Sequence, residues 1–291
     1  MAKDVRRLTH TSMHTAIPAV PRKGNILSHL SVPEVFKRPF YEVYNRRLQA
    51  KLGAGPMPGH IGLILDGNRR YAKLISSQSH IGHQLGAERV DGLLHWCDQL
   101  EVPVVTIWVL SIDNLAREQR EIEHLMEIFE KGLPHLAALQ SKMRRPRRIQ
   151  ALGRLELLPR SLLDIIAQTQ RETASYSHFV LNIAIGYSGR EEIVDAVKRL
   201  ICEDMAKGKT IDQVIEDLSP DTIGKYTYFN GLPDPDLIIR TSGEVRLGGF
   251  MLWQSVYSEF YFCDALWPSF RKVDFLRAIR SFQQRKRRFG R

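Results

Sequence analysis

The sequence predicts an α/β protein built on an open, mostly parallel six-stranded sheet flanked by helices. From residue 59 onward, short apolar runs alternate with longer segments of helical period. The runs are apolar throughout, which is typical of parallel strands that are covered on both faces. This alternation indicates one domain over residues 59–291, and no internal repeat or low-complexity tract interrupts it.

Two segments precede this domain. Residues 1–35 mix His, Ser, Thr, Pro and basic residues without periodicity, which predicts a mobile arm. Residues 36–58 are predicted to be an amphipathic helix and a linker, because apolar residues recur every four positions among basic ones, at Phe40, Tyr44, Leu48 and Leu52. We expect this helix to pack on the main domain, and contact with a membrane surface is the alternative.

The apolar runs and the periodic segments give the remaining elements in order. The predicted strands cover residues 61–65, 102–110, 149–152, 179–185, 237–239 and 259–263. The predicted helices between them cover residues 83–100, 118–140, 160–174 and 190–206.

Composition excludes several classes of protein. With 43% hydrophobic and 25% charged residues, the chain is neither globally disordered nor a coiled coil. It contains no apolar run near the length of about 20 residues that spans a bilayer, and its first thirty residues lack the apolar stretch that a signal peptide would have. The three cysteines are odd in number and far apart in sequence, so they offer neither a disulfide framework nor the spacing of a zinc motif. We expect a cytoplasmic protein, with a membrane-associated location as the alternative.

The charge balance predicts anionic ligands. Lysine plus arginine exceeds aspartate plus glutamate by 42 − 32 = 10, so the protein should attract phosphates, nucleic acid or an acidic membrane. No nucleic-acid-binding motif is present, and we expect no nucleic-acid partner. The GxGxxG motif of dinucleotide sites and an aspartate-rich DDxxD motif are also absent.

Polar groups follow four of the predicted strands, in residues 66–70, 111–114, 186–190 and 240–246. Ligands of open parallel sheets bind at the carboxyl ends of the strands, so these groups should meet at one edge. Glycine, arginine, amide and carboxylate groups are those that hold phosphates and Mg²⁺. The set therefore predicts a diphosphate site that uses scattered arginines and a single carboxylate cluster.

The individual residues leave alternatives open. Asp66 follows a buried strand and precedes a glycine, so it can help to hold Mg²⁺ or can cap the next helix. Arg240 and Arg246 flank a glycine-containing turn, where they can bind phosphate or pair with Glu244 and Asp236.

The motif blocks together resemble those of the cis-prenyltransferase, or undecaprenyl diphosphate synthase, family. The blocks are residues 60–72, 82–83, 111–114, 186–190 and 240–259, and the similarity covers residues 59–290 in the family's order. Among family members the chain looks most like the actinobacterial short-chain (Z)-farnesyl diphosphate synthases.

The resemblance implies a magnesium-dependent homodimeric prenyltransferase. Its partners would be isopentenyl diphosphate and an allylic diphosphate, and its product a (Z)-polyprenyl diphosphate such as (Z,E)-farnesyl diphosphate, grown in a hydrophobic tunnel between sheet and helices. A head-to-middle condensing or cyclising synthase, a long-chain (C50–C55) lipid-carrier synthase and a non-catalytic partner subunit are the alternatives.

The resemblance also implies roles for individual residues. Asp66, Asn68 and Asn114 would be catalytic. Asp66 and Glu259 would hold the magnesium, with Glu259 reaching it within the chain or from the side of a partner subunit. The substrate-binding residues would be Gly67, Asn68, Arg69, Arg70, Tyr71, His83, Ser111, Asp113, Arg117, Arg240, Arg246 and Gly248.

Some positions depart from the family's pattern. Ser79 replaces an arginine that many members use for the allylic diphosphate, and Gly248–Gly249 replaces a common Ser-Asn pair. These changes keep the choice of substrate open. Val109 is intermediate between the alanine of many long-chain members and the larger residues of short-chain ones, which favours a short or medium product.

Overall fold

The computed structural model describes residues 34–53 and 55–285. The chain divides after Phe40 into two units, and within the first unit only the helical residues 34–40 are described. The predicted mobile arm, residues 1–35, lies almost entirely outside the described residues. The helices of the described ranges are α1 (Glu34–Leu52), α2 (Asn68–Leu74), α3 (Ser79–Gln99), α4 (Gln119–Gln140), α5 (Arg160–Thr173), α6 (Gly189–Ala206), α7 (Ile211–Glu216), α8 (Pro220–Gly224) and α9 (Lys272–Gln284).

Within the described residues the sheet has six strands, as predicted, and every neighbouring pair is parallel. The strands are β1 (His60–Ile64), β2 (Val104–Ser111), β3 (Arg147–Leu152), β4 (Phe179–Tyr187), β5 (Leu237–Arg240) and β6 (Glu259–Phe262), in the order β3-β4-β2-β1-β5-β6. Because β1 lies between β2 and β5, the residues that follow these three strands meet at one edge.

Apolar residues on the two faces of the sheet form two cores. Successive side chains of a strand point to opposite faces, and in β5 Leu237 and Ile239 belong to the larger core while Ile238 belongs to the smaller one. The larger core also holds buried residues of α3, α4, α5 and α9. A shift of register near Trp108 and Leu110 marks a bulge in β2 beside the carboxyl edge.

The structure differs from the predicted elements at several ends. α1 begins at Glu34, before Pro39, and ends at Leu52, so the predicted helix in residues 36–58 is present and starts earlier. β2 begins at residue 104 because Pro103 precedes it and has no N–H for the ladder. No helix within the described ranges is long and apolar enough to cross a membrane.

Candidate active site

Asp66 and Arg240 meet at the carboxyl edge of the sheet. Ile64, the last residue of β1, is paired with Arg240, the last residue of β5. The Arg240 guanidinium donates a hydrogen bond from Nη2 to Asp66 Oδ2 at 2.9 Å. Gly67 has φ 109°, and an added Cβ there would lie 2.9 Å from the Leu266 side chain, so only glycine allows this turn.

The backbone around Asp66 is fixed by Thr241. The Asp66 N–H donates to Thr241 Oγ1 at 2.9 Å, and the Thr241 hydroxyl lies 2.7 Å from the Asp66 carbonyl oxygen. Partial burial acts to raise the pKa of Asp66, but the hydrogen bond and charge of Arg240 and the charge of Arg70 outweigh it and lower the pKa. Asp66 is therefore ionised at neutral pH and can bind a cation.

A second contact orients Arg240. Its Nη1 donates to the carbonyl oxygen of Arg246 at 2.5 Å, and the Arg240 residue is only 6% exposed. The Arg246 side chain points elsewhere, because its guanidinium pairs with Glu244. Glu244 also lies 3.4 Å from Arg70, so these two exposed arginines share one carboxylate.

Asn68 opens α2 and packs against glycines of α3. An added Cβ at Gly82 would lie 2.2 Å from the Asn68 carbonyl oxygen, and one at Gly86 would lie 2.4 Å from Asn68 Oδ1. The Asn68 amide nitrogen donates weakly to the Leu65 carbonyl oxygen at 3.4 Å. The two glycines let α3 approach closely and hold Asn68 at the mouth of the site.

Glu121, which no sequence motif singles out, contacts three of the predicted site residues. Its Oε1 accepts from Arg117 at 2.9 Å and lies 3.2 Å from His83 Nε2, and Arg69 lies 4.0 Å from its Oε2. Burial lowers the pKa of His83 more than Glu121 raises it. Burial raises the pKa of Glu121, but contacts with His83, Arg117 and Arg69 outweigh this and lower it.

Two adjoining cavities open from this edge. The first has a volume of about 290 Å³ and is lined by the polar groups around Asp66 and Arg240. The second has a volume of about 560 Å³, lies among α3, α4 and β2, and is mainly apolar. Both are lined by Leu65, Asn68, His83, Val109 and Leu125, so a polar chamber adjoins an apolar one.

Comparison with known proteins decides the family. Residues 64–290 match the family described as "Putative undecaprenyl diphosphate synthase". The chain belongs to this family. It is 49% identical over 254 residues to the isoprenyl transferase of Thermus thermophilus, covering 87% of this chain and 97% of that protein.

Two further prenyl diphosphate synthases are similar to the chain. The (2Z,6E)-farnesyl diphosphate synthase of Thermobifida fusca is 49% identical over 253 residues, which covers 87% of this chain and 97% of that protein. The lavandulyl diphosphate synthase of Lavandula x intermedia, solved with dimethylallyl diphosphate, superposes with a TM-score of 0.76 at 31% identity, over 81% of this chain and 99% of that one. This prenyltransferase therefore has the family's fold, as the motifs implied.

The polar cavity brings most of the predicted site residues together. It is lined by Asp66, Gly67, Asn68, Arg69, Arg70, His83, Ser111, Asn114, Arg117, Arg240 and Gly248. Ser111 also orders its own turn, since its Oγ accepts the Asn114 N–H at 3.1 Å. Neither cavity is lined by Tyr71, Asp113, Arg246 or Glu259.

Glu259 lies away from Asp66 within the chain. It is the first residue of β6 and is paired in register with Leu237, at the amino end of β5, whereas Asp66 follows the carboxyl end of β1. Its carboxylate pairs with Arg285. The structure therefore does not place Glu259 on the Asp66 magnesium site from within the same chain, and a contribution from a partner subunit stays a prediction.

The polar cavity fits a magnesium ion that is shared with a substrate. Among the residues that the structure describes, Asp66 is the one carboxylate that lines this cavity, and a third of the Asp66 side chain is exposed. Within residues 34–53 and 55–285, no three His, Cys, Asp or Glu side chains are arranged to hold a metal by themselves. Mg²⁺ is commonly held by one or two carboxylates together with substrate phosphates, and this residue set suits that mode of binding.

Proposed function

We propose that this prenyltransferase condenses isopentenyl diphosphate with an allylic diphosphate to give a short (Z)-polyprenyl diphosphate, such as (Z,E)-farnesyl diphosphate. The observation that carries the proposal is the pair of adjoining cavities. A prenyl diphosphate has an anionic head and an apolar tail, and the chamber around Asp66 and Arg240 adjoins an apolar chamber among α3, α4 and β2.

The charges of the polar cavity suit the departure of a diphosphate. The allylic C1–O bond breaks and the leaving diphosphate gains negative charge, while C1 bonds to the double bond of isopentenyl diphosphate. Arginine donors aimed at that charge stabilise the transition state more than the ground state. Arg69 and Arg70 follow the Gly67 turn and would hold the allylic diphosphate, and Arg240 would hold the isopentenyl diphosphate.

We also propose that the reaction needs Mg²⁺. Asp66 would hold the ion together with diphosphate oxygens, and the ion would neutralise charge on the leaving group. The carboxylate is ionised because Arg240 and Arg70 lower its pKa. Asn68 and Asn114 line the same cavity and would orient the reacting groups. Bond formation leaves a positive charge on the isopentenyl unit, and a base must take a proton from its C2 to give the new double bond.

The size of the apolar cavity supports a short product. At about 560 Å³ it lies within the range of about 300–1,000 Å³ that holds drug-sized ligands, and a C15 chain is of that size. A C55 chain would need several times the space of a C15 chain. The 49% identical (2Z,6E)-farnesyl diphosphate synthase supports the same product.

The experiment for this proposal compares the wild type with Asp66→Asn at matched magnesium concentrations. We expect prenyl transfer to require Mg²⁺ and to fall by about 10²–10³-fold in the variant, the size of loss seen when a charge-stabilising group is removed. Asp221→Asn, at an exposed residue of α8, is the matched control and should retain full activity. Equal activity of the two variants would contradict the role of Asp66.

We further propose a homodimer that uses the β6 edge of the sheet. β6 is an edge strand, and the residues before it leave Val256 and Tyr257 exposed by 69% and 72%. Exposed apolar groups beside an unpaired strand edge are typical of an interface. Light scattering should give twice 33.4 kDa for the wild type, and Tyr257→Glu should shift the mass toward one chain.

We propose contact with anionic lipid through α1. Residues 41–52 contain the exposed bases Arg46, Arg47 and Lys51 and a single acid, Glu42. Binding to phosphatidylglycerol vesicles should fall when Arg46 and Arg47 are replaced by Glu. Replacing Arg160 and Arg171 of α5 by Glu changes the net charge by the same amount and serves as the control. An equal loss of vesicle binding in that control would contradict the proposal.

A further inference from the structure

Behind the polar cavity, two buried side chains form a hydrogen-bonded pair that lines neither cavity. Tyr187 ends β4 and Glu192 lies in the first turn of α6, and neither residue is exposed. The Tyr187 hydroxyl donates to Glu192 Oε2 at 2.7 Å. Glu192 Oε1 accepts from the Tyr228 N–H at 2.9 Å and from Gln254 Nε2 at 3.0 Å. A buried carboxylate is costly unless it is hydrogen-bonded, and this one has three donors.

The pair is attached to the loop of residues 246–251. The Met251 N–H donates to the Tyr187 hydroxyl oxygen at 3.0 Å. Met251 is buried and has φ 47°, in the left-handed region that a residue with a side chain adopts only at a cost in free energy. The Gly249 carbonyl oxygen accepts from the Gly189 N–H, at the start of α6, at 2.8 Å. Two hydrogen bonds from the β4–α6 junction therefore hold the loop in a strained conformation.

The same loop orients the main cation of the polar cavity. The carbonyl oxygen of Arg246 accepts from Arg240 Nη1 at 2.5 Å, while Arg240 Nη2 donates to Asp66 at 2.9 Å. The guanidinium is thus fixed at both of its terminal nitrogens. If residues 246–251 relax, the Arg246 carbonyl moves and one of these two constraints on Arg240 is lost.

We infer that Tyr187 and Glu192 are positioning residues for the diphosphate that Arg240 binds. They act through the Met251 N–H and the Arg246 carbonyl and do not themselves touch the substrate. The inference rests on the proposed function in one respect, which is that Arg240 binds the diphosphate of isopentenyl diphosphate.

The test is Tyr187→Phe, which removes one hydroxyl and keeps the ring. Tyr228→Phe is the matched control, because its ring lies 6.2 Å from that of Tyr187 while its hydroxyl donates to Asp195 at 2.5 Å and does not reach the loop. The Kd of inorganic diphosphate and of isopentenyl diphosphate is measured by calorimetry, together with KM, kcat and Tm. Tyr187→Phe removes both the donor to Glu192 and the acceptor of the Met251 N–H. Because the bond to Met251 is the one that holds the loop, we expect both Kd values to rise roughly tenfold, the size of effect that the loss of one positioning hydrogen bond has.

Kinetics separate positioning from a general loss of stability. In Tyr187→Phe the KM for isopentenyl diphosphate should rise about tenfold while the KM for the allylic diphosphate stays within twofold. Tyr228→Phe should keep both KM values within twofold, even if its Tm falls as much as the Tm of Tyr187→Phe does. Unchanged Kd values in Tyr187→Phe, or equal weakening in both variants, would overturn the inference.

The binding measurement also distinguishes this inference from the proposed function. A wild type that transfers no prenyl group would contradict the proposed function, yet the Kd comparison would still decide the role of Tyr187. If Tyr187→Phe shows no thermal transition, Glu192→Gln replaces it, because the amide keeps the volume but turns one acceptor into a donor. A several-fold higher Kd for inorganic diphosphate is expected there, and an unchanged Kd would overturn the inference.

Discussion

Two glycines of α3, Gly82 and Gly86, position Asn68 because they have no side chain that would displace it. The change Gly86→Ala would place a Cβ 2.4 Å from Asn68 Oδ1, so Asn68 or α3 must move. We expect the free energy of unfolding to fall by about 1–3 kcal/mol and prenyl transfer to fall about tenfold or more, since small displacements of reacting groups are costly. Denaturant-induced unfolding measures the free energy of unfolding, and enzyme assays measure the rate of prenyl transfer.

Gly92→Ala on the same helix is the control for this prediction. Its added Cβ would lie 3.5 Å from Trp96, an ordinary contact. Replacing glycine by alanine inside a helix should then raise stability by up to about 1 kcal/mol and leave activity unchanged. A Gly86→Ala enzyme with the wild-type rate would show that the position of Asn68 does not matter for the reaction.

Glu121 makes stability depend on pH. Its pKa is lowered in the folded protein, so its contribution to the free energy of unfolding is present above its ordinary pKa of about 4.3 and is lost as the pH falls below that value. We expect Glu121→Gln to lose about 1–2 kcal/mol of the free energy of unfolding at pH 7, and the difference from wild type to be smaller at pH 3, which lies below the ordinary pKa of a glutamate.

Urea denaturation at the two pH values checks this prediction. The control is Glu127→Gln on the same helix, because Glu127 forms only an exposed pair with Lys131 at 3.8 Å. Such a pair contributes about 0–1 kcal/mol, so the control should differ little from wild type at either pH. A Glu121→Gln difference that persisted unchanged at pH 3 would contradict the assigned ion pairs.

Among the elements, α3, α4 and β2 enclose the apolar cavity that we assign to the growing chain. Phe129 of α4 lines it, and Phe129→Ala would enlarge it. We expect the products to shift toward longer chains, which mass spectrometry of the products measures. Phe179→Ala, at the amino end of β4 and outside both cavities, should leave chain length unchanged. The same product lengths in both variants would mean that the chain does not occupy this cavity.

The elements that the sequence predicted well are those with a strong local signal. Each of the six strands in the described ranges overlaps a predicted run, although β3 also holds Arg147, Arg148 and Gln150, and the helices α3, α4, α5 and α6 have clear periodicity. α7 and α8 span six and five residues, too short for a periodic pattern to show, although Thr210 and Ser219 are capping residues that mark their starts. α2 was expected only as the helix that follows the Gly67 turn.

The sequence predicted the site residues whose positions follow from the strand topology. Asp66 and Arg240 both follow parallel strands, so the rule for carboxyl ends places them together. The same rule argues against a place for Glu259 beside Asp66 in one chain. Glu259 is the first residue of β6 and therefore lies at the opposite edge of the sheet. Glu121 was missed because it lies in a charged stretch at the start of α4 that looks like a solvated helix face, and only the tertiary structure brings His83 to it.

In the molecule as a whole, the polar chamber that we assign to diphosphates adjoins an apolar chamber of about 560 Å³ that we assign to a prenyl chain. Short-chain prenyl transfer in these chambers is tested by incubating the purified protein with Mg²⁺, isopentenyl diphosphate and dimethylallyl, geranyl or farnesyl diphosphate in turn, and identifying the products by mass spectrometry. We expect a C15 diphosphate with a new cis double bond from geranyl diphosphate. A ladder in the C50 range, or an irregular or cyclic product, would contradict the short-chain function. The absence of any prenylated product would contradict the proposed reaction itself.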